Sequence, residues 1–398
     1  MMFQPSELEQ IKQIMTGKFG IERENLRVTP NGELALTPHP NALGDKRTNP
    51  EVTTDFSESQ LEIISPVVDS IEQLLPELAR ISTTVKQALS QEFLWMQSVP
   101  PTALPAEETI PLAQFGTRAD AAYEKTLYRE YLSTKYGRYK QLYSGIHFNF
   151  SYDDSQLRSL FPQTTINDFY IRLMAQTLKY RFFLNFVVAA SPATINKVTY
   201  RSARLGEEGY HNLTMIPLDY TSTANYLASL KAVIASGIIE GSRELYELVR
   251  AKGTSMDSFK AEYAVINRIE LRMPDLNPLY PEGINPSDLY VMHLYIRWCS
   301  SLVDQSYDVA EQRTAAELAN SAALFELSQP LEHKIKSIFD ALFVYLEWAN
   351  LPAVYHASLL EAYQRFLYPN KRYAEQLVAA YAKSSFDEVN LNIAKQQA

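Results

Sequence analysis

The sequence predicts an α+β protein, and three observations support this class. Three short apolar segments carry charged or polar side chains two residues apart, which is the spacing of one face of a β-strand, and a fourth carries the single carboxylate Glu62. A hairpin is predicted over residues 18–37, because strand-like runs flank the turn sequence Pro30-Asn31-Gly32. From about residue 286 onward, apolar residues recur with the 3.6-residue period that is typical of helices.

The elements between these regions can be predicted in chain order. Residues 53–65 read as a strand region that Pro66 closes. The next helix begins with a capping box of Ser70 and Gln73, and Pro76 either kinks this helix or marks a later start. The remaining predicted elements are an irregular Pro-rich segment at 100–112, a strand at 143–152, a long helix at 166–190, a helix at 222–236 and a strand at 266–273.

The composition is that of a large globular protein. The chain has 398 residues, and 46% of them are hydrophobic, which is ample for a sizeable core. It contains no internal repeat, low-complexity tract or linker. The charged strands extend from Glu22 to Arg272, so any site that they build must join distant segments. We therefore expect one domain over residues 1–398, with a mostly helical part from about 286.

Charge and hydropathy argue against two classes of partner. The formal net charge is −9, whereas nucleic-acid binding needs clustered Lys and Arg. The most apolar stretch, Phe182 to Ala190, is far shorter than the ~20 residues of a membrane helix, and residues 1–7 do not resemble a signal peptide. We expect a cytoplasmic protein with no nucleic-acid or membrane partner. Cys299 is the single cysteine, and we expect a buried apolar side chain rather than a reactive thiol.

The charged side chains of the predicted strands indicate a metal-assisted site. Residues i and i+2 of a strand point to the same face. The pairs that share a face in this way are Glu22 and Glu24, His147 and Asn149, and Glu270 and Arg272. A further carboxylate, Glu62, lies on another strand-like segment. Carboxylates and an imidazole on separate strands suit divalent cations that carry the phosphates of a nucleotide.

These motifs together resemble the glutamate–cysteine ligases of the bacterial type, including the ligase half of the bifunctional glutathione synthases. A single matching motif would be weak, but the set occurs in family order over residues 18–280. The matching segments are Gly20–Arg27, Thr53–Glu58 with Leu61-Glu62, Leu127–Glu130, Tyr136-Gly137, Gln141, Ser144–Phe150, Ala190–Ala193, Ser202–Gly206, Tyr210, Ile269–Arg272 and Asp275–Pro278.

The resemblance implies a fold, a reaction and cofactors. The fold would be like that of glutamine synthetase, with a curved, mostly antiparallel sheet that forms a funnel wrapped by helices. The cofactors would be ATP and Mg²⁺, with Mn²⁺ as a possible substitute. The reaction would phosphorylate the γ-carboxylate of L-glutamate, and the amine of L-cysteine would then displace phosphate to form an amide, which is the first step of glutathione synthesis.

The resemblance also assigns roles to individual residues. Arg272 would lie near the transferring phosphoryl group, Arg129 would be a further active-site arginine, and Arg204 would hold the glutamate α-carboxylate. The implied metal ligands are Glu22, Glu24, Asp55, Glu62, His147 and Glu270. The resemblance implies an amine-acceptor pocket of Phe56, Tyr128, Leu132, Gln141, Tyr210 and Tyr246, and two further substrate-binding residues, Asn149 and Ile146.

Some parts of the chain depart from the family pattern and leave alternatives open. The segment around Tyr246 and Arg250 lacks a proline that the family has, and residues 318–328 lack the family's tryptophan and Gly-Arg. The chain also ends without an ATP-grasp domain, so we expect the ligase activity without the second synthase activity. Two alternatives remain: a γ-glutamyl ligase that uses another amine or amino acid, and a non-catalytic relative that binds glutamate or nucleotide.

Overall fold

One antiparallel sheet organises the chain. The computed structural model describes residues 17–302 and 306–398, apart from residues 161, 163 and 164. The prediction about a signal peptide concerns residues 1–7, which lie outside the described residues. Among the described residues the sheet has seven strands. Every pairing is antiparallel, and the sheet curls into a half-barrel, which confirms the predicted curved antiparallel sheet.

The strands are β1 (Gly17–Val28), β2 (Val52–Thr54), β3 (Gln60–Ile64), β4 (Phe93–Trp95), β5 (Ile146–Tyr152), β6 (Ala193–Ile195), β7 (Val198–Tyr200), β8 (Val249–Thr254) and β9 (Val265–Leu271). Six strands of the main sheet lie in the order β2-β3-β1-β5-β9-β8, and β4 pairs with β1 on the edge that faces β5, because Leu26 of β1 pairs with Gln60 of β3 and with Trp95 of β4. In the described part of the chain, β6 and β7 form a separate two-stranded sheet, and Tyr200 of β7 also makes an isolated bridge with Leu324. The strand predicted at 266–273 is β9, and the strand region predicted at 53–65 is β2 and β3 with a turn between them.

The register of the sheet brings the charged strands side by side. Across β3 and β1, Glu62 pairs with Glu24, and across β1 and β5, Glu22 pairs with His147. Asn149 of β5 then pairs with Glu270 of β9. Most alternate residues of these strands are apolar and belong to the main core, among them Ile21, Ile63, Ile146, Phe148 and Ile269, and Arg23 is buried on the same face. One face of the sheet is therefore buried under helices, and the other carries the polar row.

The helices are α1 (Ile71–Ala88), α2 (Glu124–Tyr136), α3 (Asp154–Leu160), α4 (Ile166–Lys179), α5 (Phe182–Val187), α6 (Thr223–Ala235), α7 (Pro286–Ser301), α8 (Val309–Ala323), α9 (Gln329–Ala349), α10 (Ala353–Leu367), α11 (Tyr373–Tyr381) and α12 (Phe386–Gln396). The chain after residue 286 is helical, as its periodicity predicts. One hydrophobic cluster includes residues of the sheet and of helices as far along the chain as α10. No described helix is both long and apolar enough to cross a membrane.

Two predicted elements differ from the structure. In the predicted hairpin, the turn forms with Gly32 at φ 86°, but the second strand is reduced to one bridge between Val28 and Leu34. The pairing stops there because β1 is already paired on both edges at Leu26, with Gln60 of β3 and with Trp95 of β4.

The predicted helix at 166–190 is two helices, α4 and α5. The break follows from Arg181, because its guanidinium donates to the carbonyl of Leu178 at 2.8 Å and so satisfies the end of α4.

The predicted capping box of α1 is also wrong. Ser70 makes no side-chain cap to the helix, and the Gln73 side chain accepts from the backbone N–H of Asp69 at 3.2 Å instead. Pro76 lies inside α1 rather than at a later start, in the first two turns.

Candidate active site

A cavity of about 210 Å³ lies over the polar face of the sheet. Acidic side chains from β1 and β3, and from the turn between β2 and β3, form one wall, together with a histidine of β5. These residues are Glu22, Glu24, Asp55, Glu62 and His147. They are five of the six residues predicted to bind metal, and the sheet register is what brings them together, because β1 lies between β3 and β5.

His147 is held between two of these carboxylates. Its Nδ1 lies 3.2 Å from Oε2 of Glu22, and its Nε2 lies 3.6 Å from Oε1 of Glu24. Nε2 is buried and has no hydrogen-bond partner among the described residues. A buried ring nitrogen without a partner is costly, and it is the type of atom that ligates a divalent cation.

The carboxylates of the acidic wall repel one another. Burial raises the pKa of Glu62 well above its usual value, and the neighbouring Asp55, Glu22 and Glu24 raise it further. Within the described residues, no group of three or more His, Cys, Asp or Glu side chains is arranged so that it could hold a metal ion as it stands. The donor set fits a divalent cation in its chemistry, but the side chains would have to move together to enclose one.

Glu270, the sixth predicted metal ligand, is paired with two cations at the side of the cavity. Its Oε1 accepts from Arg272 at 2.7 Å, and its Oε2 lies 2.9 Å from Nζ of Lys252. Burial would raise the pKa of this carboxyl, but Arg272 and Lys252 outweigh burial and lower it. Glu270 is therefore a fully ionised carboxylate that orients both cations toward the cavity.

Arg129 lines the cavity from helix α2. Its Nε donates to the backbone carbonyl of Asp55, and its Nη1 donates to the carbonyl of Lys125 at 2.8 Å. The guanidinium also lies over the ring of Phe115, 4.5 Å from the centroid. These contacts fix the position of a positive charge beside Asp55 and Glu62 of the acidic wall.

Arg204 does not line the cavity, although the sequence predicts a substrate contact. It donates to the backbone carbonyls of Arg272 at 2.8 Å and Met273 at 3.3 Å, and it lies 3.9 Å from Asp275. Gly145 makes room for this arginine, because a Cβ atom there would come within 2.2 Å of Nη2. The two carbonyl bonds leave other N–H groups of the guanidinium available.

The remaining wall of the cavity is largely aromatic. All six residues predicted for the acceptor pocket line the cavity: Phe56, Tyr128, Leu132, Gln141, Tyr210 and Tyr246. The rings of Tyr210 and Tyr246 lie 4.4 Å apart between centroids. Two other predicted substrate-binding residues do not line the cavity: the side chain of Asn149 donates to Glu22 at 3.3 Å, and the side chain of Ile146 is in the core on the opposite face of the sheet.

Sequence reasoning missed two basic residues of the cavity, Arg243 and Lys252. Lys252 lies on β8, which was not predicted, two residues after Arg250, which also lines the cavity. The same i, i+2 spacing that identified the acidic strands would have identified this pair. Arg243 lies in a short turn at Ser242–Glu244, where no periodic signal exists.

The glutamate–cysteine ligase family model matches residues 4–237. The chain belongs to the glutamate–cysteine ligase family. A glutathione biosynthesis bifunctional protein of Listeria innocua is 35% identical over 424 residues, which cover 96% of this chain and 55% of the relative. The chain thus spans about half the length of the curated relatives that it matches first.

Solved structures of this family have the same fold. A bifunctional glutathione synthetase from Pasteurella multocida superposes with a TM-score of 0.88 at 28% identity, over 98% of this chain and 53% of that protein. A glutamate–cysteine ligase from Francisella tularensis in complex with AMP superposes with a TM-score of 0.86 at 22% identity, over 96% of this chain and 88% of that one.

Proposed function

We propose that the protein is an ATP-dependent ligase that joins the γ-carboxyl group of L-glutamate to the amine of L-cysteine through a γ-glutamyl phosphate. One observation carries the proposal: a single cavity is lined by carboxylates, by arginines and a lysine, and by aromatic residues. ATP and glutamate are both anionic, so a site that joins them needs fixed positive charge and ligands for cations. Membership in the glutamate–cysteine ligase family supports the same assignment.

The acidic wall is suited to divalent cations. Glu22, Glu24, Asp55 and Glu62 would hold them, with Nε2 of His147 as the nitrogen ligand and Glu270 at the edge. When bound, Mg²⁺ would neutralise phosphate charge and act as a Lewis acid at the transferred phosphoryl group. The raised pKa of Glu62 supports this role, because a cation would relieve the repulsion that raises it.

The basic residues have two roles in this proposal. Arg272 and Arg129 would stabilise the charge that develops on the phosphoryl group during transfer, because their positions are fixed before substrate binds. Arg204 would hold the α-carboxylate of glutamate with the N–H groups that the carbonyls of Arg272 and Met273 do not use.

The cavity is where the reacting ends of the substrates would meet. Its volume of about 210 Å³ is below the ~300–1,000 Å³ of pockets that enclose a drug-sized ligand. It can admit a γ-carboxyl group, a phosphoryl group and a small amino acid side chain. The glutamate γ-carboxylate attacks the γ-phosphorus of ATP and ADP leaves. The amine then attacks the acyl carbon and phosphate leaves, so that no protein nucleophile is needed.

The decisive experiment measures phosphate release with ATP, Mg²⁺ and L-glutamate across a panel of amines, with products identified by mass spectrometry. We expect both L-cysteine and 2-aminobutyrate to act as acceptors, with kcat/KM values that differ by no more than about 10–200-fold, because only a thiol in one replaces a methyl group in the other. Larger amino acids should fail because the pocket excludes them. A dominant product from another amine would overturn the acceptor assignment. Binding of glutamate or nucleotide without turnover for any amine would overturn the ligase itself.

A further inference from the structure

Arg243 lies at the mouth of the cavity, against its aromatic wall. It belongs to the short turn Ser242–Glu244 that leads into β8. Its guanidinium carbon lies 3.9 Å from the centroid of the Tyr128 ring, so the two groups stack. Arg243 is exposed, unlike the other cavity arginines, and thus a ligand can reach it from solvent.

The turn that carries Arg243 is held rigidly by the next residue. Glu244 is fully buried, and its carboxylate accepts from the hydroxyls of Tyr131 at 2.9 Å and Tyr136 at 2.7 Å. Its Oε2 also accepts from the backbone N–H of Glu240 at 2.6 Å. Because Tyr131 and Tyr136 belong to α2, which also carries Tyr128, these bonds fix the distance between Arg243 and the aromatic wall.

The donors of Arg243 are free, whereas those of the other cavity cations are engaged. Arg272 and Lys252 are paired with Glu270, Arg129 donates to backbone carbonyls, and Arg250 donates to the carbonyl of Ser242 at 2.7 Å. Among the described residues, Arg243 makes no hydrogen bond and no ion pair. A preorganised guanidinium with a free edge is a ready partner for a carboxylate, which it binds through two parallel hydrogen bonds.

We propose that Arg243 binds the α-carboxylate of the acceptor, and that the acceptor is therefore an α-amino acid rather than a simple amine. This inference rests on the proposed function. The position of Arg243 supports this assignment. In the proposed function the acidic wall and the cations around Glu270 bind the nucleotide and glutamate, whereas Arg243 borders the aromatic wall. A carboxylate held at the rim leaves the acceptor side chain in the small aromatic pocket and its amine toward the reacting carbon.

The test compares acceptors with and without a carboxylate. L-cysteine is paired with cysteamine, and 2-aminobutyrate is paired with propylamine, each at saturating ATP, Mg²⁺ and L-glutamate. For the wild-type protein we expect kcat/KM to be about 10- to 100-fold higher for the amino acid of each pair. In Arg243→Gln this preference should largely disappear, because kcat/KM falls for the amino acid and stays the same for the amine. KM for ATP and for glutamate should not change.

Two further variants keep the result interpretable. Arg243→Lys keeps the charge without the two-pronged geometry, so it should retain part of the preference. Arg313→Gln, an exposed arginine of α8, is the matched control and should behave as wild type. An equal loss for cysteine and cysteamine would mean that Arg243 only supports Tyr128, and an unchanged kcat/KM for cysteine would mean that it has no role; either result overturns this inference. Absence of turnover with every acceptor in the wild-type protein would instead reject the proposed function.

Discussion

Two carboxylates near the cavity, the half-buried Glu62 and the buried Glu244, have opposite surroundings. Burial and the neighbouring acids Asp55, Glu22 and Glu24 raise the pKa of Glu62. Burial would also raise the pKa of Glu244, but hydrogen bonds from the backbone of Glu240 and from Lys135, Tyr136 and Tyr131 outweigh it and lower the pKa. The charges around Glu62 are mostly acidic, and Arg129 offsets them only in part, whereas the carboxylate of Glu244 is fully hydrogen-bonded.

This difference separates carboxylates that stabilise the fold from carboxylates that are placed to bind a cation. A fully hydrogen-bonded carboxylate such as Glu244 joins α2 to the turn before β8 and stabilises the structure. A carboxylate such as Glu62, surrounded by like charges, destabilises the folded state. Such groups are typical of functional sites, where a bound cation relieves the repulsion. Substitution of the two carboxylates should therefore affect different quantities, namely stability for Glu244 and turnover for Glu62.

The largest expected effect is on turnover in Glu62→Gln. We expect kcat to fall more than about 100-fold, because the acidic wall loses a cation ligand. Stability without divalent cations should stay the same or rise by about 1 kcal/mol, because one like charge has been removed. Phosphate-release assays and thermal unfolding in EDTA measure the two quantities, and Glu326→Gln, an exposed glutamate, is the control. Near-normal turnover together with a large loss of stability would show that Glu62 stabilises the fold and does not bind a cation.

The next effect concerns Arg204, a cation that already has partners within the protein. If it also holds the α-carboxylate of glutamate, Arg204→Lys should raise KM for glutamate about 10-fold or more, because a lysine ammonium cannot make the two parallel hydrogen bonds of a guanidinium. KM for ATP should change much less, and initial-rate kinetics with each substrate varied in turn separates the two. Equal changes in the two KM values would contradict the glutamate contact and assign Arg204 to the phosphate groups of ATP instead.

A smaller effect is expected on stability in Glu244→Gln. The neutral amide cannot accept from all four donors, so the free energy of unfolding should fall by about 2–3 kcal/mol. Chemical denaturation measures this change. The folded variant should still bind Mg²⁺, since the acidic wall is intact, and thermal shift with and without Mg²⁺ checks that point. A Glu244→Gln protein as stable as wild type would show that this carboxylate is not the satisfied one of the pair.

The smallest effect is on the pH dependence of stability. Because the pKa of Glu62 is raised in the folded protein, its contribution to stability is fully present below the ordinary carboxyl pKa of 4.5 and is lost as pH rises through the raised value. Without divalent cations, the Tm of the wild type should therefore fall by ~2 °C relative to Glu62→Gln as the pH is raised from 4.5 to neutrality. A constant difference between the two Tm values, or one of opposite sign, would contradict the raised pKa.

The acidic wall was predictable from the sequence because its signal is local. Glu22 and Glu24 in an apolar strand show their common face through spacing alone, and the register then aligns them with Glu62 and His147. The helical region after residue 286 was predictable for the same reason. Arg243 was not, because its place is set by tertiary hydrogen bonds to Glu244 rather than by a period. The break at Arg181 likewise depends on a single guanidinium that caps α4.

The strand order has a consequence for how the protein is made. Strand β5 carries Ile146, Phe148 and Phe150 and pairs on one side with β1 and on the other with β9. Phe148 pairs with Leu271, so the second edge of β5 stays unpaired until β9 has been synthesised. Until that pairing forms, a ribosome-bound chain presents an apolar open edge, and such edges promote association between chains. Pairings between distant segments also form slowly. A chain that ends after α6 should therefore aggregate during synthesis, even though it contains all the proposed metal ligands except Glu270.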